Sequence, residues 1–384
     1  MTQLRHSAVV RAASMGQLIV LLAIASLVST TVATAESTAR WARCGVWRHV
    51  PPPRTVYGFP RDIEVVSPTE AWFVGWKGFV TGHPVVRHWQ GERWGSEPFP
   101  TPFGHQDDVD VADLAVTGAG GVWGVGHVDP SAGDPAGLRP LVTRWTGAQW
   151  RLVHVGIPRR ASFNAVAAVP GTARIWAVGS YGLSGWGVGG MGTFVARWNG
   201  ERWHRVPSPS PGRSSNFIDV VVLGRTVWAV GSFRQSGHQR TLAARWNGER
   251  WSVFRGSRGG LQAVDAIGSG PVWAVGPGKD VEPQRALLTR WDGASWVTVR
   301  RFPESSSLLD VVVASPTDAW AVGYRGPFPH RPFVMRRHGS SWHVRRAPDT
   351  MGRFWAVAGT PNNLWALRWY VVGDSGRLDT YHRC

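Results

Sequence analysis

Residues 227–254 read VWAVGSFRQSGHQRTLAARWNGERWSVF, and their landmarks recur along the chain. The first phrase, W-A-V-G or a close variant, places its Trp at Trp72, Trp123, Trp176, Trp228, Trp273, Trp320 and Trp365. The intervals are 51, 53, 52, 45, 47 and 45 residues. The second phrase, R-W-[ND]-G-x-x-W, reads RWTGAQW from Arg144, RWNGERW from Arg197 and Arg245, and RWDGASW from Arg290. HWQGERW from His88 and RRHGSSW from Arg336 are variants. Self-similarity at a fixed period of this size marks a repeat architecture.

Each unit divides into four short strands. A β-branched run such as DVVV (310–313) comes first, then a polar turn such as SPTD from Ser315. W-A-V-G is the second strand, and a loop of varied length leads to a third, such as TLAARW (241–246). Asn-Gly or Asp-Gly closes a tight hairpin, because these residues accept positive φ cheaply. The fourth strand begins at the last Trp. Four strands in such a period describe a β-propeller blade, and seven Trp phrases predict an all-β, seven-bladed propeller of four-stranded antiparallel blades. The in-register Trp are predicted to pack between neighbouring blades, where a large flat ring fills the wedge. A content of 47 Gly, 27 Pro and 24 Trp in 384 residues suits such a turn-rich chain.

The ends carry their own signals. Arg5 and Arg11 precede the apolar run LIVLLAIASLV (18–28), and TVATAE follows with small residues at Ala33 and Ala35. This order reads as a secretory signal peptide over residues 1–35, leaving the propeller over 36–384. The apolar run is short for a membrane span, and no other run approaches one. The last unit stops at Cys384 after its third strand, while CGVWRHVPPP (44–53) resembles the fourth-strand segment ERWHRVPSPSP (201–211). The N-terminal strand is therefore predicted to complete the last blade and close the ring. The two cysteines, Cys44 and Cys384, align with the Asn-Gly hairpin of other blades. A disulfide between them is expected to replace the missing turn, in keeping with an exported chain.

The formal net charge is +17, carried almost wholly by arginine, since Lys77 and Lys279 are the only lysines. Two readings stand: attraction to an anionic partner, or arginines fixed by the repeat and by codon bias. The charge forms no basic run, so no specific nucleic-acid partner is read from it.

The phrases resemble those of Trp-rich secreted bacterial propeller proteins, loosely grouped with galactose-oxidase-like or kelch-like propellers. The resemblance covers about residues 44–384 and implies the fold rather than one activity. Galactose-oxidase chemistry needs copper ligands and a Cys–Tyr site, whereas both cysteines here read as structural. Kelch repeats carry a Gly-Gly pair absent at the matching place. Sialidase-like Asp boxes read D-x-G-x-x-W, and WDGASW (291–296) only approximates one.

In a propeller the loops between strands two and three share one face with the blade-to-blade connections. Here those segments are the long, varied ones, as in residues 98–113, 126–140, 179–193 and 206–217, and variation on one face is where function concentrates. About ten residues before each W-A-V-G Trp stand Asp62, Asp113, Asn164, Asp219, Gln262, Asp310 and Trp355. This collar should ring the channel mouth. It either binds a cation, a sugar or a basic group, or satisfies backbone N–H groups of the next blade. Trp355 breaks the collar, and Trp76 and Trp186 are off-register, expected in variable loops where they stack on a ligand ring or cover a neighbouring loop. His127 falls in the same class of loop with His83, His238 and His330. Arg234 and Arg240 are the loop arginines a polyanion would use. The densest acidic cluster, His105, Asp107, Asp108 and Asp110, lacks the spacing of an EF-hand. No metal site, cofactor fingerprint, nucleophile elbow or P-loop is read. The expectation is a secreted, monomeric, non-catalytic binding propeller that presents its variable face to a glycan, cell-wall polymer or protein. The alternative is an extracellular lyase, hydrolase or cyclase with its site at the channel mouth.

Overall fold

The computed structural model describes residues 45–52, 56–78, 82–100, 107–118, 120–129, 137–156, 160–182, 191–278, 284–302 and 305–384. Residues 1–35, read from sequence as a signal segment, Cys44 and Trp186 lie outside the described residues. Two units are distinguished. In one, whose described residues are Gly45, Val46 and Cys384, the Gly45 N–H donates to the Cys384 carbonyl at 2.9 Å. The other, Trp47–Arg383, is a ring of seven antiparallel sheets, with no helix among the described residues.

Blade 4 holds the quoted stretch and shows how the phrases act. Its strands are Arg213–Leu223, Thr226–Gln235, His238–Trp246 and Trp251–Arg258, paired in sequence order. In the turn after the third strand, the Asn247 side-chain oxygen accepts from the Glu249 and Arg250 N–H groups, at 3.0 and 2.9 Å. Asn199 and Asp292 cap the same turn in blades 3 and 5. Gly248 then takes φ +107°, open to glycine and strained for any L side chain.

The W-A-V-G glycine has a different reason. In blades 3, 4 and 6 a Cβ at Gly179, Gly231 or Gly323 would fall on a carbonyl oxygen of the inner strand, that of Ser162, Asn216 and Ser307 respectively. At each of these places the inner strand carries a β-bulge, between Phe163 and Ala165, Phe217 and Asp219, and Leu308 and Asp310. The glycine lets the bulged backbone approach, and the bulge re-aims the next side chain.

The core lies between blades rather than within them. Seven apolar clusters occur, and each draws on two adjacent blades. The W-A-V-G Trp of one blade packs on the paired Trp of the next. Trp72 lies 4.9 and 5.4 Å from Trp145 and Trp150, and Trp228 lies 4.8 and 5.3 Å from Trp291 and Trp296. These tilted and edge-to-face contacts suit the aromatic quadrupole.

The same contacts close the ring. Blade 7 contains Arg353–Thr360, Asn363–Val372 and Ser375–Arg383, with Arg48–His49 as its fourth strand. Arg48 pairs with His382 and His49 with Tyr381. Trp47 takes the place of the outer-strand Trp, 5.6 Å from Trp320 of blade 6. Trp365 packs 5.0 Å from Trp89 and 5.1 Å from Trp94 of blade 1. The predicted closure by the N-terminal strand is the observed one.

Candidate functional site

The bulges set up the channel. Directly after a bulge, Asp62, Asp113, Asp219 and Asp310 reach the axis from blades 1, 2, 4 and 6, while in blade 3 Asn164 is the bulged residue itself. Each bridges to the inner strand of the next blade. The Leu114 N–H donates to Asp62 at 3.1 Å, the Val166 N–H to Asp113 at 2.7 Å, the Val264 N–H to Asp219 at 2.6 Å and the Val357 N–H to Asp310 at 2.7 Å. Asp219 and Asp310 also accept from the following residue's N–H, at 2.7 Å each. Asn164 reverses the polarity: its side-chain N–H donates to the Phe217 carbonyl at 2.6 Å.

Blade 5 departs from the sequence alignment. Gln262 lines the mouth, but the bridging carboxylate is Asp265, which accepts from Ala266 at 2.8 Å and Val313 at 2.6 Å. Asp265 pairs with Trp273, whereas Asp62, Asp113, Asp219 and Asp310 pair with the Val of W-A-V-G. It therefore sits one layer deeper. Glu64, opposite Trp72, joins it at that depth. Sequence reasoning missed both, although Asp265 is the sole carboxylate of its strand.

Two cavities meet at this ring. One of 380 Å³ is lined by Asp62, Asp113, His127, Asn164, Asp219, Gln262, Asp310 and Trp355. The other, of 590 Å³, shares Asp62, Asp113, Asp219 and Asp310, and adds Glu64 and Asp265. The four shared carboxylates form the neck between them. Burial in the apolar channel wall raises every one of the six carboxyls above its ordinary value, and their mutual repulsion adds to the effect at Glu64 and Asp113. Asp219 and Asp265 are each pushed up to about 7. Near neutrality the neck thus carries protons as well as charge. Among the described residues no three His, Cys, Asp or Glu are arranged to hold a metal ion.

The structure gathers Asp62, Asp113, Asn164, Asp219, Asp310, His127 and Trp355 at one mouth. His127 presents a buried Nδ1 without a hydrogen-bond partner. Trp355 is half-buried, with the Arg353 guanidinium 5.8 Å from its ring. Other nominated residues lie elsewhere. Trp76 is in the strand Glu70–Lys77 rather than a loop, 5.9 Å from Phe59, because the second strand of blade 1 runs on past its glycine. Arg234 pairs with Gln239 and Arg240 with Phe233 across the blade 4 hairpin, and neither lines the mouth. Of the acidic cluster, Asp110 pairs with Arg61 at 2.8 Å and Asp108 accepts from the Gly82 N–H.

Much of the positive charge is structural. The Arg of the second phrase lies over the W-A-V-G Trp of its own blade, with Arg144, Arg197, Arg245, Arg290 and Arg336 within 5.0–6.0 Å of the rings.

No protein family and no curated protein matches the sequence. Solved structures do. A polysaccharide lyase of a new family, PL25 ulvan lyase, matches at 13% identity and TM-score 0.59, covering 86% of this chain and 95% of its own. YCF48 bound to a D1 peptide matches at 14% and 0.55, covering 88% and 95%. The β-propeller domain of Myceliophteria thermophila Cps50 (Swd1) matches at 12% and 0.53, covering 86% and 99%. At such identities the likeness speaks to fold alone, and together with the seven observed blades it makes this chain a seven-bladed β-propeller.

Proposed function

We propose that the chain is an exported, non-catalytic recognition protein whose variable-loop face, centred on the channel mouth, engages a glycan, a cell-wall polymer or a protein. The observation that carries this reading is the convergence of polar side chains from six blades, with Trp355 from the seventh, on one 380 Å³ cavity. Concave sites with a few convergent polar groups beside an aromatic ring suit ligand binding. The collar favours binding over catalysis because its carboxylates are already accepting backbone N–H groups. Among the solved propellers that the chain is like, one is bound to a peptide and another belongs to a polysaccharide lyase, so polymer ligands suit the fold.

Export rests on the charged, apolar and small-residue order of residues 1–35. No helix among the described residues is long and apolar enough to cross a membrane. A Cys44–Cys384 disulfide belongs to the same reading. Its support is the Gly45 to Cys384 hydrogen bond, together with the absence of a free cysteine among the described residues.

A glycan array probed with the secreted protein tests the reading. Trp355→Ala should weaken a captured neutral glycan by about 1–3 kcal/mol, the scale of losing an anchor residue. Binding that ignores Trp355→Ala, yet vanishes on substituting the opposite-face turn at Asn199 and Gly200 in a folded protein, would overturn it.

A further inference from the structure

A cavity larger than either of the two in the channel lies outside it. It is a groove of 1050 Å³, walled by the loop between strands two and three of blade 6, the end of that blade's outer strand Ser341–Arg345, and the connection into blade 7. Four arginines line it: Arg325 lies over the Phe333 ring at 5.9 Å, while Arg331, Arg345 and Arg346 are exposed, with no carboxylate in ion-pair range of these three among the described residues. The one acid in its lining does not neutralise them. Asp349 turns inward to the buried Arg368, and also accepts from the Tyr381 hydroxyl at 2.9 Å and the Thr350 N–H at 2.6 Å.

Between the cations lies apolar surface. Phe328 is 63% exposed, Met351 47% and Val344 43%, and all three line this groove. An occupant must neutralise guanidiniums and cover unbranched, branched and aromatic carbon within one groove. Flat Trp or Tyr faces and neutral hydrogen-bonding amides, which sugars use, are missing from its lining: no Trp, Tyr, Asn or Gln contributes.

We propose that this groove is a docking site for an extended acidic peptide segment of a partner protein, with carboxylates on Arg331, Arg345 and Arg346 and apolar side chains against Phe328, Val344 and Met351. Charge complementarity sets the sign of the partner and the apolar floor sets its class. The site is separate from the channel mouth and does not depend on what binds there.

Fluorescence anisotropy on the full secreted protein provides the test, using a labelled peptide of alternating Glu and Leu and its Lys–Leu counterpart. The Glu–Leu peptide should bind saturably, and more than tenfold more weakly at 0.5 M salt than at roughly 0.05 M, as expected of guanidinium–carboxylate contacts. The double substitution Arg345→Glu with Arg346→Glu should weaken it at least tenfold, and Phe328→Ala at least threefold. Unchanged circular dichroism would show that both variants fold. Trp355→Ala should leave this binding alone, which separates the groove from the channel mouth. The proposal is overturned by absent or non-saturable binding, by equal binding of the Lys–Leu peptide, or by charge reversal without effect. Displacement of the peptide by polygalacturonate at lower concentration would equally reject it, in favour of an acidic glycan.

Discussion

Replacing Trp228 by Ala probes the principle that holds the ring together. Trp228 is 2% exposed. Its ring lies 4.8 Å from Trp291, 5.3 Å from Trp296 and 5.6 Å from Phe254, with the Arg245 guanidinium 5.9 Å away. The substitution removes the ring from the interface between blades 4 and 5 and leaves neighbours that are themselves large and rigid, so the cavity cannot collapse. Such truncations cost about 3–5 kcal/mol. The unit Trp47–Arg383 is about 340 residues long, and at ~2.1 cal/mol/K per residue its unfolding entropy is roughly 0.7 kcal/mol/K. The midpoint should therefore fall by about 4–7 °C. The assay is a thermal melt followed by near-ultraviolet circular dichroism, alongside Val299→Ala, whose side chain is exposed on the outer strand of blade 5. If Trp228→Ala lowers the midpoint no more than Val299→Ala does, the inter-blade Trp contacts are not what stabilises the ring.

Three further outcomes follow from the channel and the closure. Asn164→Asp sets a carboxylate against the Phe217 carbonyl that Asn164 now donates to, so it should destabilise by about 1–3 kcal/mol in a chemical-denaturation series, with the loss shrinking as pH falls and the new acid is protonated. Asp219 and Asp265 have folded pKa values near 7, above the ordinary carboxylate value, so the stability that their protonated forms contribute is present at low pH and lost as pH rises through 7. The melting temperature should fall between pH 6.5 and 8.5, and Asp265→Asn should flatten that slope; a rise over the same interval counts against the buried ring. His382, lowered to about 4 by burial, acts in the opposite sense only below that window. If the proposed Cys44–Cys384 disulfide forms, Cys44→Ser should lower the melting temperature, and non-reducing peptide mapping of the purified protein should show the two terminal peptides joined; recovery of both thiols free would reject the bond.

The sequence by itself determined the repeat, the blade count and the way the ring closes. These are legible because each phrase encodes a local requirement. Asn-Gly forms a turn within one hairpin, as Asn247 and Gly248 do. A Trp repeated at one register must meet the next blade's Trp, as Trp228 meets Trp291. The missing fourth strand at one end and the surplus strand at the other make a single match, observed as Arg48 paired with His382. Most of the collar was legible for the same reason, since Asp62, Asp113 and Asp310 stand ten residues before their Trp and Asp219 nine. Tertiary structure alone decided the rest. The bulge opposite the W-A-V-G glycine aims those side chains at the axis, and in blade 5 Asp265, three residues beyond Gln262, takes the bridging role. Whether an arginine is engaged or faces solvent also depends on partners remote in sequence: Arg336 is held by Asp318, while Asp349 turns to Arg368 and leaves Arg345 and Arg346 facing outward. Strand periodicity reports which side of its own sheet a residue occupies; the stagger between blades, which no single repeat contains, sets the distances that make a site.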